Sequence, residues 1–130
     1  MSGSDDIGAA GLPLQDRIQQ VMQTYREEDR WESIYLFSAE GFLMARDGVS
    51  ASYNEDALLE FSLTLVSAVE LLGDNMPVKE IIIRGKERKR LVFRYFEAWG
   101  SNLVLAAVIT GRKGYIRAMD RLIKHIANQQ

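Results

Sequence analysis

The chain has 130 residues, 47% of them hydrophobic and 26% charged, with a formal net charge of -2 and no cysteine. These are the proportions of one globular domain with room for a real core. They exclude a disulfide framework and thiolate chemistry, fit a reducing cytoplasm, and give no electrostatic case for nucleic acid.

Residues 1–11 are small, polar and acidic, without the apolar run of a signal peptide or a membrane span. They are expected to be a disordered leader, with a single domain over 12–130. Pro13 suits a first helical turn, and Leu14, Ile18, Val21, Met22 and Tyr25 then recur at helical spacing. The charged run Arg26–Arg30 ends that helix. Trp31–Ser38 reads as a strand in which both alternating sets (Tyr35 and Phe37; Ile34 and Leu36) are apolar, so both faces are covered. Ala39-Glu40-Gly41 turns the chain into a second strand, Phe42–Arg46. After a polar loop, Ser52 with Glu55 offers a capping box, and Asn54 competes as the cap.

The helix Asn54–Leu72 carries no charge between Glu60 and Glu70. Leu58, Phe61, Leu65, Ala68, Val69 and Leu72 fall on one apolar face, and Leu59, Leu63 and Val66 form a second row roughly opposite. A monomer needs one stripe, so the second predicts a partner. A leader or loop folded over Leu59, Leu63 and Val66 is the plainer alternative.

Three strands follow. Val78–Arg84 contains three successive isoleucines. Arg90–Glu97 alternates, with Leu91, Phe93 and Tyr95 on one face and Arg90, Val92, Arg94 and Phe96 on the other. Leu103–Ile109 is apolar throughout, the pattern of a central strand covered on both sides. A closing helix from about Tyr115 should turn Ile116, Met119, Leu122, Ile123 and Ile126 inward.

The class is therefore α+β, in the order α-ββ-α-βββ-α. The two most apolar strands, first and last, belong in the middle of one antiparallel sheet, and short connections favour hairpins. A strand order of 2-1-5-4-3 meets both conditions. The terminal helices then share one face and the long helix takes the other. A helix about 10 Å across cannot cover a sheet roughly 20 Å wide. A twofold copy of the helix would complete the layer.

Several stretches carry a resemblance. Ser38-Ala39-Glu40-Gly41 before Phe42-Leu43-Met44-Ala45, the small-residue-rich helix, and Val78–Gly85 leading into Leu91-Val92-Phe93-Arg94 are among them. With Asn102–Ile109 and Gly114-Tyr115-Ile116-Arg117, the pattern resembles the Roadblock/dynein light chain family from about Leu14 to Ile126. Ser38, where many members are acidic, and the basic loop Gly111–Gly114 depart from it. The resemblance implies a homodimer joined through the long helix and the third strand, with Leu59, Leu63, Val66, Glu70, Ile81 and Ile83 at the interface. It further implies a regulator or scaffold of a Ras-like small GTPase, as in MglB-like members. Those stimulate GTP hydrolysis by reshaping the GTPase, so no residue here is expected to be catalytic. Glu60, Thr64, Ser67 and Leu71, between the two apolar rows, are the expected GTPase-facing edge.

Other chemistry is thinly represented. No G-x-x-x-x-G-K-[ST] occurs, so the chain is not itself a P-loop GTPase. His125, the sole histidine, has nothing to form a triad or metal site with, and no cofactor or metal is expected. The cationic runs Arg84–Arg90 and Gly111–Gly114 are solvated turns first, and anion or acidic-partner sites second. Trp99, at a turn, is expected to pack back on the sheet rim. Two other classes stay open: a structural adaptor indifferent to nucleotide, and a profilin-, longin- or PAS-like sensing module. Leu103, Leu105, Ala107 and Ile109 filling one side of the last strand argue against the cavity such a sensor needs.

Overall fold

The elements run α1 (Leu14–Asp29), β1 (Ser33–Ser38), β2 (Leu43–Gly48), α2 (Glu55–Glu70), β3 (Glu80–Arg84), β4 (Arg90–Ala98), β5 (Ser101–Ile109) and α3 (Ile116–Ala127). A short 3-10 turn at Lys86–Arg88 joins β3 to β4. The structure, a computed structural model, describes residues 13–51, 53–71 and 78–129, so the expected leader lies outside it. The strands form one antiparallel sheet in the order β2-β1-β5-β4-β3, as the apolar patterns require.

Both faces of the two middle strands are dry. Every residue of β1 and all of Leu103–Ile109 are buried. On one face, Ile34, Leu36, Val92, Leu103, Leu105 and Ile109 pack with Ile18 and Met22 of α1 and Met119, Leu122 and Ile126 of α3. On the other, Tyr35, Phe37, Leu91, Phe93, Val104 and Val108 meet Leu58 of α2. The small side chains of Ala106 and Ala107, at the middle of β5, let both layers approach the sheet closely.

Local chemistry explains the joints. Asn54 wins the cap of α2: its Oδ1 accepts from the Ala57 amide at 2.7 Å, while Ser52 lies outside the described residues. Glu55 is instead paired with Arg46 of β2 at 2.6 Å, which ties the helix start to the sheet edge. Trp99 and Gly100 turn β4 into β5 with φ of 54° and 73°, a mirror-image turn whose twist matches the strands. The Trp99 indole N–H then donates to the Ala127 carbonyl at 3.2 Å, so this side chain fastens the end of α3 and packs back as expected.

Two expectations are corrected. Ile116 points outward and is 58% exposed. The inward arc of α3 is Ala118, Met119, Leu122 and Ile126, and Ile116 sits about a third of a turn away from its centre. The two apolar rows of α2 are also not opposed. Leu58 and Ser62 are its fully buried positions, Leu59, Leu65 and Val66 flank them on the same cluster, and Phe61 and Ala68 are exposed. The sheet-facing line runs between the rows because it includes Ser62, whose hydroxyl donates to the Leu59 carbonyl at 2.8 Å and needs no outside partner.

Candidate functional site

Among the described residues α2 is the one helix on its face of the sheet, and its seat leaves two different surfaces open. The outer surface comes from residues opposite the buried Leu58–Ser62 line. Glu60, Thr64, Ser67 and Leu71 are all exposed there, so the four expected partner-facing residues do share one side of the helix. They offer a carboxylate, two small hydroxyl side chains and one apolar side chain; the Thr64 hydroxyl is turned back on the Glu60 carbonyl at 3.0 Å. Close approach by another protein is sterically open at Thr64 and Ser67.

The second surface lies between α2 and the β3 edge. Phe61, 39% exposed, meets the buried ring of Phe93 in β4 edge-on at 5.7 Å. Ile81 and Ile83 of β3 are half-buried against the same cluster. Leu63 lies on the other flank of the helix, over Gly41 of the β1–β2 turn, where an added Cβ would come within 3.3 Å of its Cδ1. The six residues expected at the dimer interface are therefore not brought onto one surface. Leu59 and Val66 pack partly under the helix, Leu63 is on the β2 side, Glu70 is exposed near the helix end, and only Ile81 and Ile83 look toward the open edge. Phe61, which the periodicity assigned to the helix's own core face, is the residue that sequence reasoning missed at that edge.

Behind β3, on the α1/α3 face, a charged network holds the edge strand. The Arg94 side chain is only 5% exposed and donates to Glu80 at 2.9 Å and to Asp120 of α3 at 2.6 Å. Burial opposes the guanidinium charge, but the Asp120 and Glu80 hydrogen bonds and charges outweigh it, and Arg94 stays protonated. The Tyr115 hydroxyl donates to Glu80 at 3.2 Å, and burial followed by the Glu80 charge pushes its phenol up. Asp120 is held below the usual carboxylate range, chiefly by its hydrogen bond from Arg94. Arg94, set between Val92 and Phe96 on the α1/α3 side of β4, was the legible sign of this network, since an arginine buried there must find acids.

No chemistry gathers at these surfaces. Among the described residues, no three His, Asp or Glu side chains are placed to hold a metal, and His125 stands edge-on to Tyr25 with ring centroids 6.0 Å apart. No helix of the described residues is long and apolar enough to cross a membrane.

The chain matches no family model and none of the curated proteins with which it was compared. Solved structures do match in fold. The gliding protein MglB of Thermus thermophilus superposes with a TM-score of 0.72 at 16% identity, covering 89% of this chain and 90% of that one. MglB of Myxococcus xanthus gives 0.68 at 15% identity, over 86% and 84% of the two chains. A Roadblock/LC7 domain of Streptomyces avermitilis gives 0.63 at 13% identity, over 83% and 90%. The strand order, with α2 on one face of the sheet and α1 and α3 on the other, is thus that of a Roadblock/MglB-like fold.

Proposed function

We propose that two copies of this chain pair through α2 and β3, and that the pair binds one Ras-like small GTPase and regulates it in the cytoplasm. The observation that carries this reading is the incomplete cover over the α2 face. One helix leaves Phe61 exposed and Ile81 and Ile83 half-buried beside an edge strand that has no neighbour on its outer side among the described residues. An edge of this kind invites another strand. Pairing β3 antiparallel with its own copy about Ile82 would set Glu80 opposite Arg84 at both ends, an attractive cross-strand arrangement. It would also bring two α2 helices side by side over Phe61, Ile81 and Ile83.

The outer sides of those paired helices would form a saddle across the twofold axis, lined by Glu60, Thr64, Ser67 and Leu71 from each copy. A single asymmetric GTPase fits such a saddle, because a second copy would collide with it at the axis. The chain would contribute shape and no catalytic group, so any stimulation of GTP hydrolysis would come from reordering the GTPase's own residues. The low sequence identity to MglB supports the fold alone, and the open α2 face is what extends it to function.

Ser67→Arg tests the docking surface. The variant should stay folded and dimeric by sedimentation, and lose at least about tenfold in affinity for a cognate Ras-like GTPase in its GTP state, since the added charge must be desolvated at the contact. Unchanged binding and unchanged hydrolysis would place docking elsewhere. Equal binding of the GDP and GTP forms by the unaltered protein would make it an adaptor instead of a regulator.

A further inference from the structure

At the end of the sheet away from the α2 C-terminus, the β3–β4 turn and the loop from β5 to α3 close around a cleft of about 410 Å³. Its side chains are Arg84, Arg88, Lys89, Arg90 and Arg112, set between Gly85 and Gly111, and no acidic side chain is among the described residues that line it. In a chain with a net charge of -2, that is a sharp local segregation of charge. Arg84, Arg88 and Arg112 have no ion-pair partner among the described residues.

The cleft is held together by one of its own cations. The Arg90 Nη2 donates to the Gly111 carbonyl at 3.2 Å and to the Lys113 carbonyl at 2.8 Å, and its guanidinium lies 5.4 Å from the centre of the Tyr115 ring. This leaves the Arg90 Nε buried without a hydrogen-bond partner, an unmet donor in a cationic site. In the facing turn, Glu87 and Arg88 are successive residues with φ of 58° and 63°, an uncommon conformation for side chains with a Cβ. It brings Arg88 to the lining of the cleft. The loop then runs directly into α3, whose first turn carries no acid and no side-chain cap to offset its positive end.

We infer that this cleft binds adjacent phosphate groups, free as in a linear oligophosphate or carried on a multiply phosphorylated lipid headgroup. The chemistry selects the ligand. Arg84, Arg88 and Arg112 present planar donor forks that match phosphate oxygens, while Arg90 braces the cleft and adds its charge. Five cations in one small cleft call for several negative charges in a short span, which a lone carboxylate does not supply. None of the described residues lining the cleft is aromatic, so among them nucleic acid bases find no stacking platform. The inference does not rest on GTPase binding, and Arg88 and Arg112 line the cleft whether or not Arg84 is engaged by β3 pairing.

The test is calorimetry of the full chain with inorganic tripolyphosphate, alongside flotation with phosphatidylcholine vesicles holding phosphatidylinositol 4,5-bisphosphate or an equal charge of phosphatidylserine. Saturable tripolyphosphate binding that weakens at least about tenfold in Arg88→Gln/Arg112→Gln and falls with added salt supports the site. Vesicle binding that prefers the bisphosphate lipid over phosphatidylserine, lost in the same variant, assigns the source to a headgroup; its absence beside tripolyphosphate binding assigns it to a soluble phosphate. Both exposed-side substitutions leave Arg90 in place, and an unchanged melting temperature verifies the fold. Failure to bind either probe, binding unchanged in the double variant, or equally tight binding of a polyglutamate peptide overturns the inference.

Discussion

Arg94→Ala should destabilise the fold by about 3–5 kcal/mol, the usual consequence of removing one partner from a buried ionic group. The Arg94 side chain is 5% exposed, and its loss strands the Glu80 carboxylate, which is 22% exposed, against the α1/α3 face. Tyr115 remains as a donor to Glu80 at 3.2 Å but brings no positive charge. For a domain of this length, thermal unfolding should move down by roughly 10 °C or more. The network also sets a pH dependence. Asp120 has a folded pKa below its ordinary value, so its pairing contributes stability above the unfolded carboxylate pKa of about 3.9, and that contribution is lost as pH falls through the folded value. Asp120→Asn should therefore flatten part of the acid limb of the unfolding curve while leaving stability near neutral pH slightly lower. An acid limb identical to that of the unaltered protein would show that Arg94 does not engage Asp120.

Phe93→Ala should cost about 3–5 kcal/mol through lost burial and the cavity left behind. Its ring is fully buried on the α2 side of β4, beside Ala106 of β5 and Ile81 of β3, with Phe61 of α2 edge-on above it. A double-mutant cycle with Phe61→Ala should return a coupling of about 0.5–1.5 kcal/mol for the aromatic pair. The single variants separate two effects. Phe93→Ala weakens the monomer itself, whereas Phe61→Ala, at a ring 39% exposed, should alter denaturant stability far less and weaken self-association more. Zero coupling would mean that α2 is not seated over β4 in solution.

The sheet was legible because its strands differ in kind. Leu103–Ile109 and Ile34–Phe37 are apolar on both faces and had to be central, and the short turns left one strand order. The alternation of Arg90–Glu97 separated Leu91 and Phe93 from Val92, and the structure sets the first two against α2 and Val92 against the terminal helices. The seat of α2 was less legible, because Leu58, Phe61, Leu65, Leu59 and Leu63 are interchangeable by hydrophobicity. What rotates the helix is Ser62, a small hydroxyl that satisfies itself within the helix and so can lie flat on the sheet. Ile116 misled for a related reason: at the start of a helix, the preceding turn takes the inward position, here through Tyr115. Nothing in the composition of Gly85–Lys89 announced the left-handed Glu87 and Arg88, since neither residue favours that conformation.

Sedimentation equilibrium of the unaltered chain, alone and mixed with a cognate Ras-like GTPase locked in its GTP state, tests the central claim most directly. The open α2 face predicts a dimer at micromolar concentration and a saturated complex of two chains with one GTPase. A chain that stays monomeric, or a complex of one chain with one GTPase, would contradict it.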